Sequence, residues 1–225
     1  MALIAHKAHL GNLRVVDVRR DVDRATIARD MQHLALDPYV PEGFRRKGIA
    51  RFRFDGGNRF ARVAHEPLLQ SRTVNPTHGG IERVYPEYVP DDPYSVYAVR
   101  QVLRLFSHWA DLPQGEEVLL QAQRISCGPD LKCLPSVEGW HRDGVTKIGV
   151  LCIDRCNVSG GTSLFRRSVD GPTVPALRMT LEPGHLVVFQ DEPVSHRVTE
   201  IRSKDGIGMG HRDVLLMSYP ASSRG

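Results

Sequence analysis

The sequence predicts a mainly β fold, a sandwich or barrel, to which the N-terminal half adds helices. The first observation behind this prediction is a succession of short apolar stretches after Glu117, separated by turn residues at intervals of about 8–15 positions. The second is that both stretches with helical periodicity precede Glu117. Consecutive strands pair as an antiparallel sheet, and flanking helices then place the chain in the α+β class.

The N-terminal part is predicted to contain a strand, two helices and a hairpin. Ile27, Met31 and Leu34 recur on one helical face, and Asp37-Pro38 ends that helix. A turn at Asp55-Gly-Gly-Asn joins two alternating stretches, which is typical of a hairpin. In chain order the elements are a strand at 12–18, a helix from Asp21 or Asp23 to about Leu36, strands at 49–54 and 59–64, and a helix at 94–110.

Two polar segments of this part are predicted loops. Residues 41–48 separate the first helix from the hairpin, and residues 66–92 are rich in Pro, Asn, Thr and Gly. Loops longer than about 12–15 residues are usually functional or disordered. We therefore expect part of segment 66–92 to lie over the mouth of a binding site and to become ordered when substrate binds.

From Glu117 onward the chain alternates between apolar strands and turns. The first two strands, 118–125 and 145–153, are separated by a loop with two prolines. Glycine-containing turns at 157–161, 182–184 and 206–210 divide the rest. The remaining predicted strands span 162–166, 177–181, 186–189, 194–201 and 214–219.

Length and composition favour a single globular domain. The chain has 225 residues, of which 41% are hydrophobic and 25% charged, enough for a sizeable core. We find no linker that would divide it. We therefore predict one domain over residues 1–225, in which 1–116 form a helical and hairpin part and 117–219 form the β core.

Charge and cysteine content limit the partners that we expect. The net charge is +4, but the arginines are spread along the chain and no stretch combines basic with aromatic residues, so we expect no nucleic-acid partner. No apolar run approaches the roughly 20 residues that span a bilayer, and no signal peptide is evident, so we expect no membrane partner. The spacing of the four cysteines does not fit a zinc ribbon, which favours free thiols and a cytoplasmic location. Monomer and homodimer are both left open.

The segment Gly139-Trp140-His141-Arg142-Asp143-Gly144 carries the first candidate chemistry. In an extended strand, residues i and i+2 point to the same face, so His141 and Asp143 can converge on one point. His196, 55 residues after His141 and on another predicted strand, can complete a set of three ligands. Two histidines and one carboxylate on one face of a metal leave the opposite face open, as Fe(II) oxygenases require. The structural alternatives are a surface ion pair for His141 and Asp143 and a core histidine for His196.

This pattern resembles that of the Fe(II)/2-oxoglutarate-dependent dioxygenases. It is most similar to the bacterial branch that contains the L-isoleucine 4-hydroxylase and related hydroxylases of free amino acids. The resemblance covers about residues 117–219, roughly half the chain. It rests on Gln123-Arg-Ile, Glu138-Gly-Trp-His-Arg-Asp-Gly, Asn157-Val-Ser-Gly-Gly-Thr, the stretch 186–191, His196-Arg-Val and Gly210-His-Arg-Asp-Val-Leu.

The resemblance implies a double-stranded β-helix, also called a jelly roll or cupin-like fold, whose β core binds the metal. It further implies that His141, Asp143 and His196 hold catalytic Fe(II), and that Arg212 holds the distal carboxylate of the co-substrate 2-oxoglutarate while O2 is the oxidant. Imidazole and carboxylate ligands suit Fe(II). A guanidinium can hold a carboxylate through two parallel hydrogen bonds, which a lysine cannot reproduce. A surface ion pair of Arg212 with Asp213 is the structural alternative.

Four residues are candidates for binding the substrate: Gln123, Arg124, Trp140 and Thr162. On the strand 118–125, alternation places Ala122 and Arg124 on one face and Gln121, Gln123 and Ile125 on the other. We favour the register with Arg124 inward, because a substrate carboxylate needs a cation; in the opposite register the glutamines line the pocket. Trp140 could instead be a packing residue, and Thr162 follows a Gly-Gly turn that could face the pocket.

The leading functional hypothesis is hydroxylation of a free L-amino acid or a similar small metabolite, with release of succinate and CO2. The same iron chemistry on a carrier-bound or peptide substrate is an alternative. A non-catalytic, cupin-like metal-binding protein is another, although a structural metal needs no carboxylate-binding arginine. A nucleic-acid demethylase, suggested only by the pI of about 9.0, lacks a recognisable basic and aromatic surface.

Overall fold

The computed structural model describes residues 2–3, 10, 13–72, 79–90, 92–131, 133–136, 138–167 and 175–221. Within these ranges the chain forms two α-helices, one short 3₁₀ helix (Met31–His33) and a series of strands. The helices are α1 (Arg24–Asp30) and α2 (Pro93–Ala110). The strands are β1 (Ala2–Leu3), β2 (Arg14–Asp17), β3 (Arg45–Gly56), β4 (Arg59–Arg62), β5 (Glu117–Cys127), β6 (Lys147–Cys156), β7 (Val158–Gly160), β8 (Thr162–Arg166), β9 (Leu177–Thr180), β10 (His185–Gln190), β11 (Ser195–Val198), β12 (Ile201–Ser203) and β13 (Gly210–Tyr219).

One large antiparallel sheet forms the centre of the molecule. Its strand order is β1-β2-β10-β6-β13-β5-β3-β4, so strands of the N-terminal part flank a central block from the C-terminal part on both sides. Two smaller antiparallel sheets have the orders β11-β8-β9 and β12-β7. Phe165 of β8 contacts Phe189 of β10 with ring centroids 5.2 Å apart, which joins the small sheet to the large one. The mainly β, jelly-roll prediction is confirmed.

The two helices cover one face of the large sheet. On β13, Leu215 and Met217 point to the helices and pack in the same core as Phe106 of α2. Gly149 of β6 allows this close approach, since a Cβ at that position would lie 2.6 Å from the Phe106 ring. The other face of the sheet is therefore free to carry a functional site.

The prediction for the first helix was too long. Its cap is as expected, because the Asp23 carboxylate accepts a hydrogen bond from the Thr26 amide at 3.2 Å. However, α1 ends at Asp30, and Leu34 is already extended. The chain leaves the helix because residues 35–37 pair with the start of β3: Lys47 donates its backbone N–H to the Ala35 carbonyl at 2.9 Å. Tertiary pairing overrides the helical periodicity of Leu34.

The predicted loop at 41–48 is also wrong in its second half. The strand β3 begins at Arg45, four residues before the predicted strand, because Arg45–Gly48 pair with Ile125–Ala122 of β5. In segment 66–92, by contrast, the described residues form isolated bridges such as Leu68 to Arg83 and no helix or strand. Residues 73–78 and 91 lie outside the described residues. No helix in the described ranges is long and apolar enough to cross a bilayer.

Candidate functional site

Two backbone hydrogen bonds bring the two candidate histidines together. His141 donates its N–H to the His196 carbonyl at 3.1 Å, and His196 donates to the His141 carbonyl at 3.0 Å. Residues that exchange both hydrogen bonds in an antiparallel pair project their side chains to the same face. The two imidazole rings accordingly lie with their centroids 4.3 Å apart.

The carboxylate of Asp143 completes a group that could hold a metal ion. One ligand atom from each of His141, Asp143 and His196 lies within 4.8 Å of the others. His141 Nδ1 lies 2.9 Å from the Gly139 carbonyl, which fixes the N–H on that nitrogen and directs Nε2 away from the backbone. Nε2 is 3.7 Å from the Asp143 carboxylate. The structure thus brings together the three residues that the sequence proposed as ligands.

The local electrostatics suit metal binding. Burial lowers the pKa of His196 well below its ordinary value, and the neighbouring His141 adds to this effect, so the imidazole is neutral. Burial raises the pKa of Asp143, because a carboxylate without a counter-ion is costly in this position. His196 Nδ1 is buried without a hydrogen-bond partner in the described part of the chain. A divalent cation would compensate the half-buried Asp143 carboxylate and use neutral imidazole nitrogen, so the donor set fits Fe(II).

Asp191 holds the turn that carries Asp143. Its carboxylate accepts hydrogen bonds from three successive backbone amides, those of Asp143 at 3.0 Å, Gly144 at 2.7 Å and Val145 at 3.2 Å. The residue is 2% exposed. Burial and the nearby Asp143 carboxylate raise the pKa of Asp191 to about 6. The sequence analysis matched Asp191 only as part of the stretch 186–191. Nothing in that stretch indicated that the Asp191 carboxylate would bind the turn at Asp143.

A cavity of about 160 Å³ lies between the large sheet and the β11-β8-β9 sheet, beside the three candidate ligands. Val214 and Gln123 line it from the large sheet, and Phe165 lines it from the small one. From segment 66–92, Leu68, Gln70 and Arg83 reach the lining. Ordering of this segment on substrate binding remains a prediction.

Arg212 extends from β13 into this cavity. It is 2% exposed, and its Nε and Nη2 atoms have no hydrogen-bond partner in the described part of the chain. Burial lowers its pKa from the ordinary value, but an arginine remains protonated. A buried guanidinium with two unsatisfied donors can bind a carboxylate through both, which fits the carboxylate end of 2-oxoglutarate.

The preferred register of β5, with Arg124 inward, is the opposite of what the structure shows. Gln121 and Gln123 line the cavity, whereas Arg124 lies on the other face of the sheet. There its guanidinium donates two hydrogen bonds to Asp213, at 2.8 and 2.6 Å. The physical reason is the buried Asp213 carboxylate on the paired strand β13, which needs a cation on the same face.

Trp140 and Thr162 do not line the cavity. The guanidiniums of Arg166 and Arg197 lie 4.4 and 5.0 Å from the centroid of the Trp140 ring, so Trp140 supports Arg197, which does line the cavity. The Thr162 hydroxyl is 3.0 Å from that of Thr180 on β9. Neither position gives its side chain direct access to a molecule in the cavity.

A second group that could hold a metal consists of Asp154, His211 and Asp213. It lies on the Arg124 side of β13, since Asp213 is bound by Arg124. His211 Nε2 is 3.0 Å from the Asp154 carboxylate. Because the charges of this group already pair with one another, it has a simple structural explanation.

The cavity also contains cations that sequence reasoning missed. Lys47 and Arg83 are 4% and 5% exposed and both line it. Lys47 falls in the predicted loop 41–48, and Arg83 in the predicted loop 66–92. A polar stretch carries no signal that distinguishes a solvated cation from a buried one. Only the pairing of β3 with β5 turns Lys47 inward.

Comparisons with known proteins agree with this geometry. Residues 28–218 match the sequence model of the family described as 2OG-Fe dioxygenase, where 2OG is 2-oxoglutarate. No curated protein shows a significant match to the chain. A BsmA homologue from Methylobium petroleophilum PM1 is similar in structure, with 26% identity, a TM-score of 0.72, and coverage of 89% of this chain and 82% of that chain.

Two further solved structures share the fold. The protein named IDO from Bacillus thuringiensis has 15% identity and a TM-score of 0.69, with 92% of this chain and 90% of that chain covered. The Fe(II)/α-ketoglutarate-dependent dioxygenase TqaL has 17% identity and a TM-score of 0.67, with 92% and 82% covered. At these identities, the likeness concerns the fold alone.

The position of Arg124 yields a first prediction. Arg124→Met leaves the buried Asp213 carboxylate without its cation, and we expect a loss of unfolding free energy of about 3–5 kcal/mol. The double variant Arg124→Met/Asp213→Leu should recover most of this loss, because both charges are removed. Denaturant unfolding of the two variants measures the effect. Wild-type stability of the single variant would contradict the assignment of this pair.

The carboxylate of Asp191 yields a second prediction. Asp191→Asn replaces one acceptor oxygen with an NH2 group that opposes the backbone N–H donors, so the turn at Asp143 should loosen. We expect the affinity for Fe(II), or for Mn(II) as a substitute, to fall about 10- to 100-fold. The matched control is Glu192→Gln, since Glu192 is the exposed neighbour. Equal metal affinity in the two variants would show that Asp191 does not position Asp143.

Proposed function

The chain belongs to the 2OG-Fe dioxygenase family, whose members use Fe(II), 2-oxoglutarate and O2, and from this premise we propose that it hydroxylates a free L-amino acid or a similar small metabolite. In this proposal His141, Asp143 and His196 hold the iron, and Arg212 binds the distal carboxylate of 2-oxoglutarate. The observation that carries the proposal is the pair of unsatisfied Arg212 donors in the cavity that contains the three ligands.

The residues of the chain have separate tasks in the reaction. When bound, Fe(II) with 2-oxoglutarate and O2 supplies the oxidation of an unactivated C–H bond, with release of succinate and CO2. The His141–His196 pairing and the Asp191 carboxylate hold the ligand side chains in position. Arg212 orients the co-substrate, and the apolar lining from Phe165, Phe189 and Val214 excludes water from the reacting centre.

The charged lining of the cavity supports a small charged substrate. A free amino acid presents a carboxylate and an ammonium, and burying either without a partner costs several kcal/mol. Buried cations and the Glu138 carboxylate line the same cavity, so both ends of such a zwitterion can be compensated there.

Two further parts of the proposal follow from the sequence. We propose a single domain over residues 1–225, since β2 and β3 of the N-terminal part lie in the same sheet as β5, β6 and β13. A cytoplasmic location fits the four free cysteines.

Succinate release tests the substrate class. The purified protein with Fe(II), ascorbate and 2-oxoglutarate is screened against the twenty L-amino acids, and product masses are measured. We expect at least one amino acid to stimulate succinate release well above the background and to gain one oxygen atom, with no gain in His196→Ala. Stimulation by peptides instead of free amino acids would reject the proposed substrate while retaining the iron chemistry.

The role of Arg212 is tested by Arg212→Lys. Lysine keeps the charge but loses the two parallel hydrogen bonds, so the KM for 2-oxoglutarate should rise at least about tenfold, which corresponds to about 1.4 kcal/mol. Metal affinity should be unchanged. The same substitution at exposed Arg202 is the control. Wild-type 2-oxoglutarate kinetics in Arg212→Lys would show that another residue binds the carboxylate.

A further inference from the structure

Two buried cations stand on the cavity face of the large sheet, two strands apart. On β5, Ile125 pairs with Arg212 of β13 on one side and with Arg45 of β3 on the other. In the adjoining row, Gln123 pairs with Val214 and with Lys47. Neighbouring strands are about 4.8 Å apart and same-face residues recur about every 6.8 Å along a strand, so the backbones that carry Arg212 and Lys47 are separated by about 12 Å. The two cations therefore extend from separate points of the cavity wall.

Lys47 has no acidic partner in the described part of the chain. Its side chain is buried, at 4% exposure, and lines the cavity. The ammonium lies 4.0 Å from the centroid of the Tyr85 ring, and no carboxylate of the described residues forms an ion pair with it. Burial, together with the positive charges of Arg45 and Arg83, lowers the pKa of Lys47 to about 7. The fold therefore holds this amine in a position that is unfavourable without a ligand.

The surroundings of Lys47 carry an excess of positive charge. Arg45 pairs with the buried Asp37 at 2.7 Å, which uses the acidic group on this side of the cavity. Arg83 donates to the Gln70 side chain, and its Nε is buried without a hydrogen-bond partner among the described residues. Iron would neutralise Asp143, the other carboxylate whose negative charge acts on Lys47. A bound anion is the group that compensates what remains.

We propose that Lys47, assisted by Arg83, binds a carboxylate of the substrate, at an anion site separate from the one that Arg212 forms for 2-oxoglutarate. This inference rests on the proposed function, because it assigns the substrate class of the same cavity: a small carboxylic acid. Gln123, between the two cations, separates the substrate carboxylate from the co-substrate. The glutamine amide can donate to one anion and accept from an ammonium.

A carboxylate at this site should raise the pKa of Lys47, because a nearby negative charge favours the protonated amine. Protein labelled with ¹³C-lysine, loaded with Zn(II) and 2-oxoglutarate, is titrated with acid and base with and without acetate as the minimal carboxylate probe. The Cε resonance that is absent from Lys47→Met identifies Lys47, and the exposed Lys204 is the internal control. We expect acetate to raise the pH at the midpoint of the Lys47 titration and to leave the midpoint of Lys204 unchanged. A midpoint of Lys47 that acetate does not move would overturn the proposal.

Calorimetry gives the second measurement. The panel consists of the twenty L-amino acids and their carboxamides, and the proteins are the wild type, Lys47→Met and the control Lys204→Met, each loaded with Zn(II) and 2-oxoglutarate. In the wild type and the control, the amino acid that binds most tightly should have an affinity about tenfold or more above that of its carboxamide. This difference in affinity should be lost in Lys47→Met. Affinity for 2-oxoglutarate should stay within about twofold. Retained discrimination in Lys47→Met, or a large loss of 2-oxoglutarate affinity, would reject a separate substrate site.

The two proposals fail differently. If no amino acid is hydroxylated but acetate still shifts Lys47, the amino-acid assignment is wrong and the carboxylate site stands. If an amino acid is hydroxylated with equal KM by the wild type and by Lys47→Met, the function stands and the carboxylate site at Lys47 is wrong.

Discussion

The candidate site depends on the two hydrogen bonds that His141 and His196 exchange. They join the loop before β6 to strand β11, and they place both imidazoles on one face with their centroids 4.3 Å apart. Because side chains alternate along a strand, a slip of one residue in this pairing would turn His196 to the opposite face. Asp191 adds the second constraint, since its carboxylate binds three successive amides of the turn that carries Asp143. Backbone pairing and the Asp191 carboxylate thus fix the positions of the three candidate ligands.

The alternation of the large sheet separates stability from chemistry. One face packs Leu215, Met217 and Ala122 against the helices and carries most of the hydrophobic core. The other face carries Arg212 and Lys47. Burying cations without acidic partners destabilises a fold, and the apolar packing on the helical side offsets this destabilisation. A single strand such as β13 therefore contributes to both properties through consecutive residues.

Sequence reasoning succeeded where a pattern has one physical solution. The apolar strands after Glu117 predicted a sandwich or barrel, which the family resemblance narrowed to a jelly roll. The spacing of His141 and Asp143, with the distant His196, predicted a group of ligands that the structure does bring together. It failed at Arg124 because period-two alternation fixes which residues share a face but not which face is inward. Which face of β5 points to the cavity is decided by Asp213, which lies on the neighbouring strand and is 89 residues away from Arg124 in sequence. Lys47 was missed for a related reason, since only long-range pairing with β5 makes residues 45–48 a strand.

The charges of the cavity explain why two anions and a cation belong in it together. In the protein alone, the negative charges of Asp37 and Asp143 both raise the pKa of Lys47, against the larger effect of burial. If the Asp143 carboxylate binds a divalent cation, as we propose, Lys47 loses part of this compensation, and the positive charge of the cavity increases further. Long-range attraction for carboxylates should therefore be stronger after metal binding than before it. With Asp143 as a metal ligand, the arrangement of buried cations around this carboxylate favours an order in which the metal precedes the co-substrate and the substrate.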